Sequence, residues 1–134
     1  MPSGVAPASS QVVQRDRHAH YISTLALIGS TLEKIAVEVR HLQRTEVREA
    51  EEYFSEKQKG SSAMPHKSSR AFANPIKCEN ITSLARTMRQ YVVTALENQE
   101  TWHERDLANS ANERMLFADA TTLMHFILRR FRSI

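Results

Sequence analysis

The sequence is short of cysteine, glycine, proline and tryptophan: one, three, four and one, respectively, in 134 residues. A lone thiol, Cys78, cannot close an internal disulfide, which fits a reducing compartment. No apolar run approaches the ~20 residues that a membrane span requires. The opening Met1-Pro2-Ser3-Gly4-Val5-Ala6-Pro7 lacks the basic and then apolar pattern of a secretory leader. A cytoplasmic protein with no membrane partner is therefore expected. No segment has strand periodicity, and no internal repeat is present. Blocks of like charge are also missing: 18 basic and 15 acidic residues are interspersed, giving a net charge of +3. That balance mildly favours anionic ligands, but most of the charges read as a solvated helical surface. No basic face with interleaved aromatics stands out, so a nucleic-acid partner is not expected.

What remains is a composition of 41% hydrophobic and 25% charged residues, suited to one soluble helical domain. Residues 1–10, rich in Pro, Gly, Ala and Ser, read as a disordered start. From about Gln11 the pattern turns helical. Tyr21, Leu25, Ile28, Leu32, Ile35, Val39 and Leu42 alternate steps of four and three, one apolar stripe along a helix. Helix-forming residues continue to about Lys59, where Gly60 offers a left-handed cap. A helix of about 45 residues would reach about 65 Å. A chain of this size cannot cover such a rod, so the stripe predicts partner helices from other copies. Asn74 as N-cap with Pro75 at the first helical position predicts a second helix to about Glu97. Ser110 and Glu113 match a capping box for a third, with Leu116, Ala120, Leu123, Ile127 and Phe131 buried. The fold class is all-α.

Between the first two helices lies Gly60-Ser61-Ser62-Ala63-Met64-Pro65-His66-Lys67. Alone, Gly-Ser-Ser reads as a plain linker. The eight residues together, with Trp102-His103-Glu104-Arg105-Asp106 downstream, resemble the mobile signature loop of the fumarase/aspartase superfamily. Within it the Ala-Met-Pro-His-Lys ending resembles the adenylosuccinate lyase branch. The resemblance runs from about Ser9 to Phe131, and covers the middle-to-late third of such an enzyme. It implies a partial central helical-bundle domain over residues 11–134, with the signature loop at 60–75. The reaction implied is β-elimination of fumarate from a succinylated purine nucleotide, without a cofactor or metal.

That chemistry needs a base, fixed positive charge and donors on the carboxylates, and an acid for the leaving nitrogen. The resemblance implies Ser61 as the catalytic base, usable only when the surroundings exclude water and stabilise the alkoxide. It implies substrate contacts from Gln11, Ser62, Lys67, Asn74, Glu79 and Asn80. Arg105, Ser110 and Arg114 correspond to a phosphate-binding set. Two guanidiniums beside a helix N-terminus suit an anion, whereas an ordinary capping box with solvated arginines is the plainer reading. One departure is present: Ser68-Ser69-Arg70-Ala71-Phe72-Ala73 separates Lys67 from Asn74, five residues more than in the family pattern. Five residues span up to ~17 Å, while catalytic geometry is sensitive to shifts of ~1 Å.

The resemblance further implies that the general-acid histidine lies in a segment N-terminal to these residues, that a C-terminal helical domain follows, and that a homotetramer shares each site among three subunits. Gln14-Arg15-Asp16-Arg17 is expected to make structural ion pairs. His18, His20, His41 and His125 read as surface or packing residues, because no pair has metal-ligand spacing. Cys78 reads as a small buried residue. Two functions stay open, a fumarate-releasing lyase chain and a catalytically silent helical oligomerisation module.

Overall fold

In a computed structural model the described residues are 5, 7–9, 11–52 and 74–134. The readings on Gly60, Ser61, Ser62, Lys67 and the inserted residues 68–73, and most of the 1–10 segment, lie outside them. Among the described residues there are three α-helices and no strand, in line with the all-α expectation. Helix α1 spans Asp16–Leu42, α2 Ile76–Glu97 and α3 Ala108–Phe131.

The helices run up, down and up. Arg15 meets Glu113 near the starts of α1 and α3, so these two run parallel. Glu33 of α1 binds Arg86 and Arg89 of α2, while Glu52 beyond α1 reaches Lys77 and Cys78 at the start of α2, so α2 runs against both. The core has two continuous parts. Ala19, Ile22, Ala26, Met88, Ala95, Leu116, Ala120 and Met124 fill the end where α1 and α3 begin. Leu32, Ala36, Cys78, Ile81 and Ile127 fill the other. Small residues on α1 let the helices approach closely. At buried Gly29 an added Cβ would sit 3.4 Å from the Met124 methyl and 3.7 Å from Met88 Cγ.

Three sequence expectations need correcting. The first helix is 27 residues, about 40 Å, and not the 45 or so expected. It begins at Asp16 and stops at Leu42, one turn beyond Val39, the last residue of the stripe packed on the core. Beyond it, Arg44–Glu49 are exposed and offer no apolar face, and helix stability comes mainly from packing. The chain closes there in turns, with Arg48 in the left-handed region at φ 52° and its N–H on Arg44 O at 2.9 Å.

Second, Asn74 does not cap α2 through its side chain; its carbonyl accepts from Ile76 N–H at 2.8 Å. The cap comes from far along the chain. The buried carboxylate of Glu52 accepts from Cys78 N–H at 2.7 Å and Lys77 N–H at 3.2 Å.

Third, α3 starts at Ala108, two residues before Ser110, and the Ser110–Glu113 box does not form. Asp106 Oδ1 takes the Ala108 N–H at 2.8 Å, and Glu113 turns to α1 instead.

The apolar stripe also divides. Leu32 is buried and Leu25 and Val39 pack on the core, whereas Tyr21, Ile28 and Ile35 remain 45%, 40% and 45% exposed. One half of the seven-residue repeat faces inward. The other half lies along the open flank of α1.

Candidate active site

The described residues among those implied in substrate binding fall at two ends of the bundle. Asn74, Glu79 and Asn80 stand at the start of α2: Asn74 and Glu79 are exposed and Asn80 half-buried. Gln11, Arg105, Ser110 and Arg114 gather at the opposite end, where α1 and α3 begin. Helix α2 is 22 residues, about 33 Å, so the two groups cannot touch one small molecule within a single chain.

At the α3 end a tight ion pair fixes the arrangement. Arg15 Nε donates to Glu113 Oε1 at 3.0 Å and its Nη2 to Oε2 at 3.3 Å, with both side chains about 15% exposed. The family-like Gln14–Arg17 stretch thus does supply a structural ion pair. His18 Nδ1 lies 3.4 Å from the same carboxylate, and its ring packs edge-on against Phe117 at 5.0 Å. Burial pushes the Glu113 carboxyl up, but hydrogen bonds and charge from Arg15 and His18 outweigh it and hold it below the usual range. The pair ties the segment ahead of α1 to α3, and Val12–Arg15 of that segment face the α2–α3 connection across a cleft.

That connection is braced by amides. Asn98 and Asn112 exchange hydrogen bonds through their side chains at 2.6 and 2.8 Å. Buried Asn109 donates to the carbonyls of Asn98 at 2.9 Å and Glu100 at 3.4 Å. His103 turns the chain with φ 51°. A cleft of about 230 Å³ opens between the two segments, with Val12, Gln14, Arg15, Thr101, His103 and Glu104 in its walls. Gln11 and Arg105 adjoin those walls in sequence. Ser110, half-buried in the first turn of α3, and exposed Arg114 one turn on share a helix face.

The α3 N-terminus is less open to an anion than the sequence suggested. Its Ala108 amide is taken by Asp106, and the Ser110 amide by Leu107 O at 3.1 Å. An anion here would be held chiefly by the Arg105 and Arg114 side chains and the Ser110 hydroxyl.

At the other end, Cys78 is fully buried. Burial, then the hydrogen bond and charge of Glu52, push its thiol up to about 12, against weaker opposition from Arg40 and Lys77. It is a packing residue, as expected, and not an activated nucleophile. Among the described residues no group of His, Cys, Asp or Glu could hold a metal ion, and no helix is long and apolar enough to cross a membrane.

Sequence reasoning missed Glu52 and the asparagine brace. Glu52 is separated by 25 residues from the helix it caps, a spacing no local cap rule covers. Asn98, Asn109 and Asn112 were visible only as a local richness in asparagine.

Residues 1–89 match the family described as Lyase. The chain belongs to this lyase family. Adenylosuccinate lyase of Staphylococcus saprophyticus is 55% identical over 129 residues, which is 96% of this chain and 29% of that protein. Adenylosuccinate lyase of Bacillus subtilis is 54% identical over the same shares. Among solved structures, 3-carboxy-cis,cis-muconate lactonizing enzyme from Pseudomonas putida superposes with a TM-score of 0.74 at 30% identity, covering 90% of this chain and 26% of that one. The chain therefore spans less than a third of the length of these lyase relatives. Its three helices correspond to a fragment of a fumarase/aspartase-type helical bundle.

Proposed function

We propose that this chain is part of a C–N lyase that releases fumarate from adenylosuccinate, and from the related succinylated imidazole carboxamide ribotide, in purine nucleotide biosynthesis. The observation that carries this reading is the 55% identity to an adenylosuccinate lyase across 96% of the chain. In the proposed reaction Ser61 removes the proton beside a succinyl carboxylate. The electron pair forms the new C=C bond, the C–N bond breaks, and the leaving nitrogen takes a proton from an acid outside these 134 residues. Ser62, Lys67, Asn74, Glu79 and Asn80 hold the succinyl end. Gln11 contacts substrate, and Arg105, Ser110 and Arg114 hold the nucleotide phosphate.

The 33 Å or so of α2 between these groups favours a site shared by several copies. The exposed flank of Tyr21, Ile28 and Ile35 supports a homo-oligomer joined through the long helices. Such an enzyme would be cytoplasmic and would need no cofactor. The five inserted residues before Asn74 favour the second reading, a catalytically silent oligomerisation module.

The deciding experiment follows adenylosuccinate loss with the purified chain alone and mixed with a segment supplying the N-terminal part of a related lyase. The chain alone is expected to give no turnover, since no acid is in place. The mixture is expected to give measurable turnover that Ser61→Ala removes. Turnover by the chain alone would overturn the shared-site reading, and a silent mixture that nonetheless assembles would favour the module.

A further inference from the structure

The start of α2 is held in an unusual way. A helix normally takes its N-terminal cap from the residue just before it, but at α2 that residue is Pro75, which makes no side-chain cap. The carboxylate of Glu52 does, accepting from Cys78 N–H at 2.7 Å and Lys77 N–H at 3.2 Å. Glu52 is only 8% exposed, and its own N–H is bound by Gln43 Oε1 at 3.3 Å, just beyond the end of α1. Lys77, one of the two capped residues, extends its Nζ to Ser133 O at 2.6 Å beyond the end of α3. One carboxylate thus joins the chain leaving α1 to the first turn of α2, and Lys77 carries the tie on to α3.

We infer that Glu52 is a positioning residue: it fixes the first turn of α2, and with it the orientation of Glu79 and Asn80, independently of the segment between residues 53 and 73. The second part rests on the lyase reading above. The tie closes the intervening chain into a loop whose two ends are set by Glu52 and Lys77, whatever its length. Five additional residues in such a loop cost little in closure entropy, and the tie keeps them from altering where α2 starts. A negative charge at a helix N-terminus, accepting two amides in a buried setting, is a strong cap. It lies one turn or less from both candidate substrate contacts. Cys78 reports on the same contact, because its buried thiol lies against the Glu52 carboxylate.

The test uses the full chain with Glu52→Ala and Glu52→Gln. Hydrogen exchange at the Lys77 and Cys78 amides is expected to speed by about tenfold to a hundredfold in Glu52→Ala, the loss of charge-assisted bonds. The mid-helix Ala85 and Met88 amides should keep their parent rates. Glu52→Gln, which retains an acceptor oxygen, should fall between. Parent-like exchange at Lys77 and Cys78 in Glu52→Ala would overturn the cap. A uniform rise along α2 would overturn the local role in favour of general destabilisation. In the mixture with the N-terminal lyase segment, Glu52→Ala should lower kcat with Glu52→Gln partly restored. Unchanged kcat alongside fast exchange would overturn positioning of Glu79 and Asn80. If the parent mixture is itself silent, the lyase reading fails, and the exchange experiment still decides the cap on its own.

Discussion

Replacing Glu113 with glutamine removes one charge from the junction of α1 and α3 while keeping its shape. Arg15 is then left with a neutral acceptor, in a setting where both side chains are about 15% exposed. Exposed pairs contribute ~1 kcal/mol or less, and breaking a fully buried pair costs ~3–5 kcal/mol. This pair has two bonds, at 3.0 and 3.3 Å, and stands between those limits, so a cost of ~2 kcal/mol is expected. An unfolding entropy of ~2.1 cal/mol/K per residue gives ~0.28 kcal/mol/K for 134 residues, and hence a drop in Tm of ~7 °C. Thermal melts followed by far-ultraviolet circular dichroism would measure it. A double-mutant cycle with Arg15→Gln should return a coupling of ~1 kcal/mol or more.

The pH dependence supplies the sharper check. In the folded chain the Glu113 carboxyl is held below its ordinary value of 4.5 by Arg15 and His18, against the opposing effect of burial. A depressed carboxyl contributes stability that is fully present above its unfolded pKa and is lost as pH falls through the folded value. The Tm gap between parent and Glu113→Gln should therefore be constant near neutrality. It should close as the solution becomes more acidic than 4.5. A gap of equal size at about pH 7 and about pH 3 would show that charge is not what the residue supplies.

Three further outcomes follow from the packing. Gly29→Ala adds a methyl that meets Met124 and Met88 at ordinary contact distances of 3.4 and 3.7 Å, and it should stabilise α1 by ~0.5–1 kcal/mol; a fall in Tm would mean that the three helices cannot accommodate it. Cys78 is fully buried with its thiol pushed up, so it should react with iodoacetamide at mildly alkaline pH at least ~10-fold more slowly than the unfolded chain; equal rates with and without urea would refute its burial. Asn109→Ala frees the carbonyls of Asn98 and Glu100, and should cost ~1–3 kcal/mol with faster exchange confined to the connection; an unchanged melt would remove the brace from the account.

The helical class, the end of α2 at Glu97 and the buried face of α3 were legible because each rests on local pattern. Leu116, Ala120 and Ile127 are buried as their spacing implies. The length of α1 was not legible. Arg44–Glu49 have good intrinsic propensity but are exposed, and propensity is overridden where packing is missing. The caps of α2 and α3 were misassigned for a related reason. The α2 cap comes from Glu52, and Glu113 leaves the expected box because Arg15 and His18 offer it a charged partner. Local rules cannot anticipate competition from residues distant in sequence. Of the candidate site, the resemblance supplied which residues to locate. Their division between two ends of the bundle required the fold.

That division bears on the inserted residues. They precede Asn74 in sequence, and Asn74, Glu79 and Asn80 stand at the end of α2 about 33 Å from the end that carries Gln11, Arg105, Ser110 and Arg114. In the lyase reading, a perturbed loop should therefore impair whatever the succinyl end requires and leave the phosphate end intact. AMP, which has a phosphate but no succinyl group, separates the two. It should bind the chain weakly, shifting resonances near the start of α3, and Arg114→Ala should abolish those shifts without loss of helicity. Lys67→Ala should leave them unchanged. Screened surface charges contribute ~1 kcal/mol at most, so millimolar affinity is the most a single chain should reach. If Arg114→Ala titrates with AMP as the parent does, the arginines at the start of α3 are only solvated surface charges, and the phosphate assignment falls while the fold and the family membership stand.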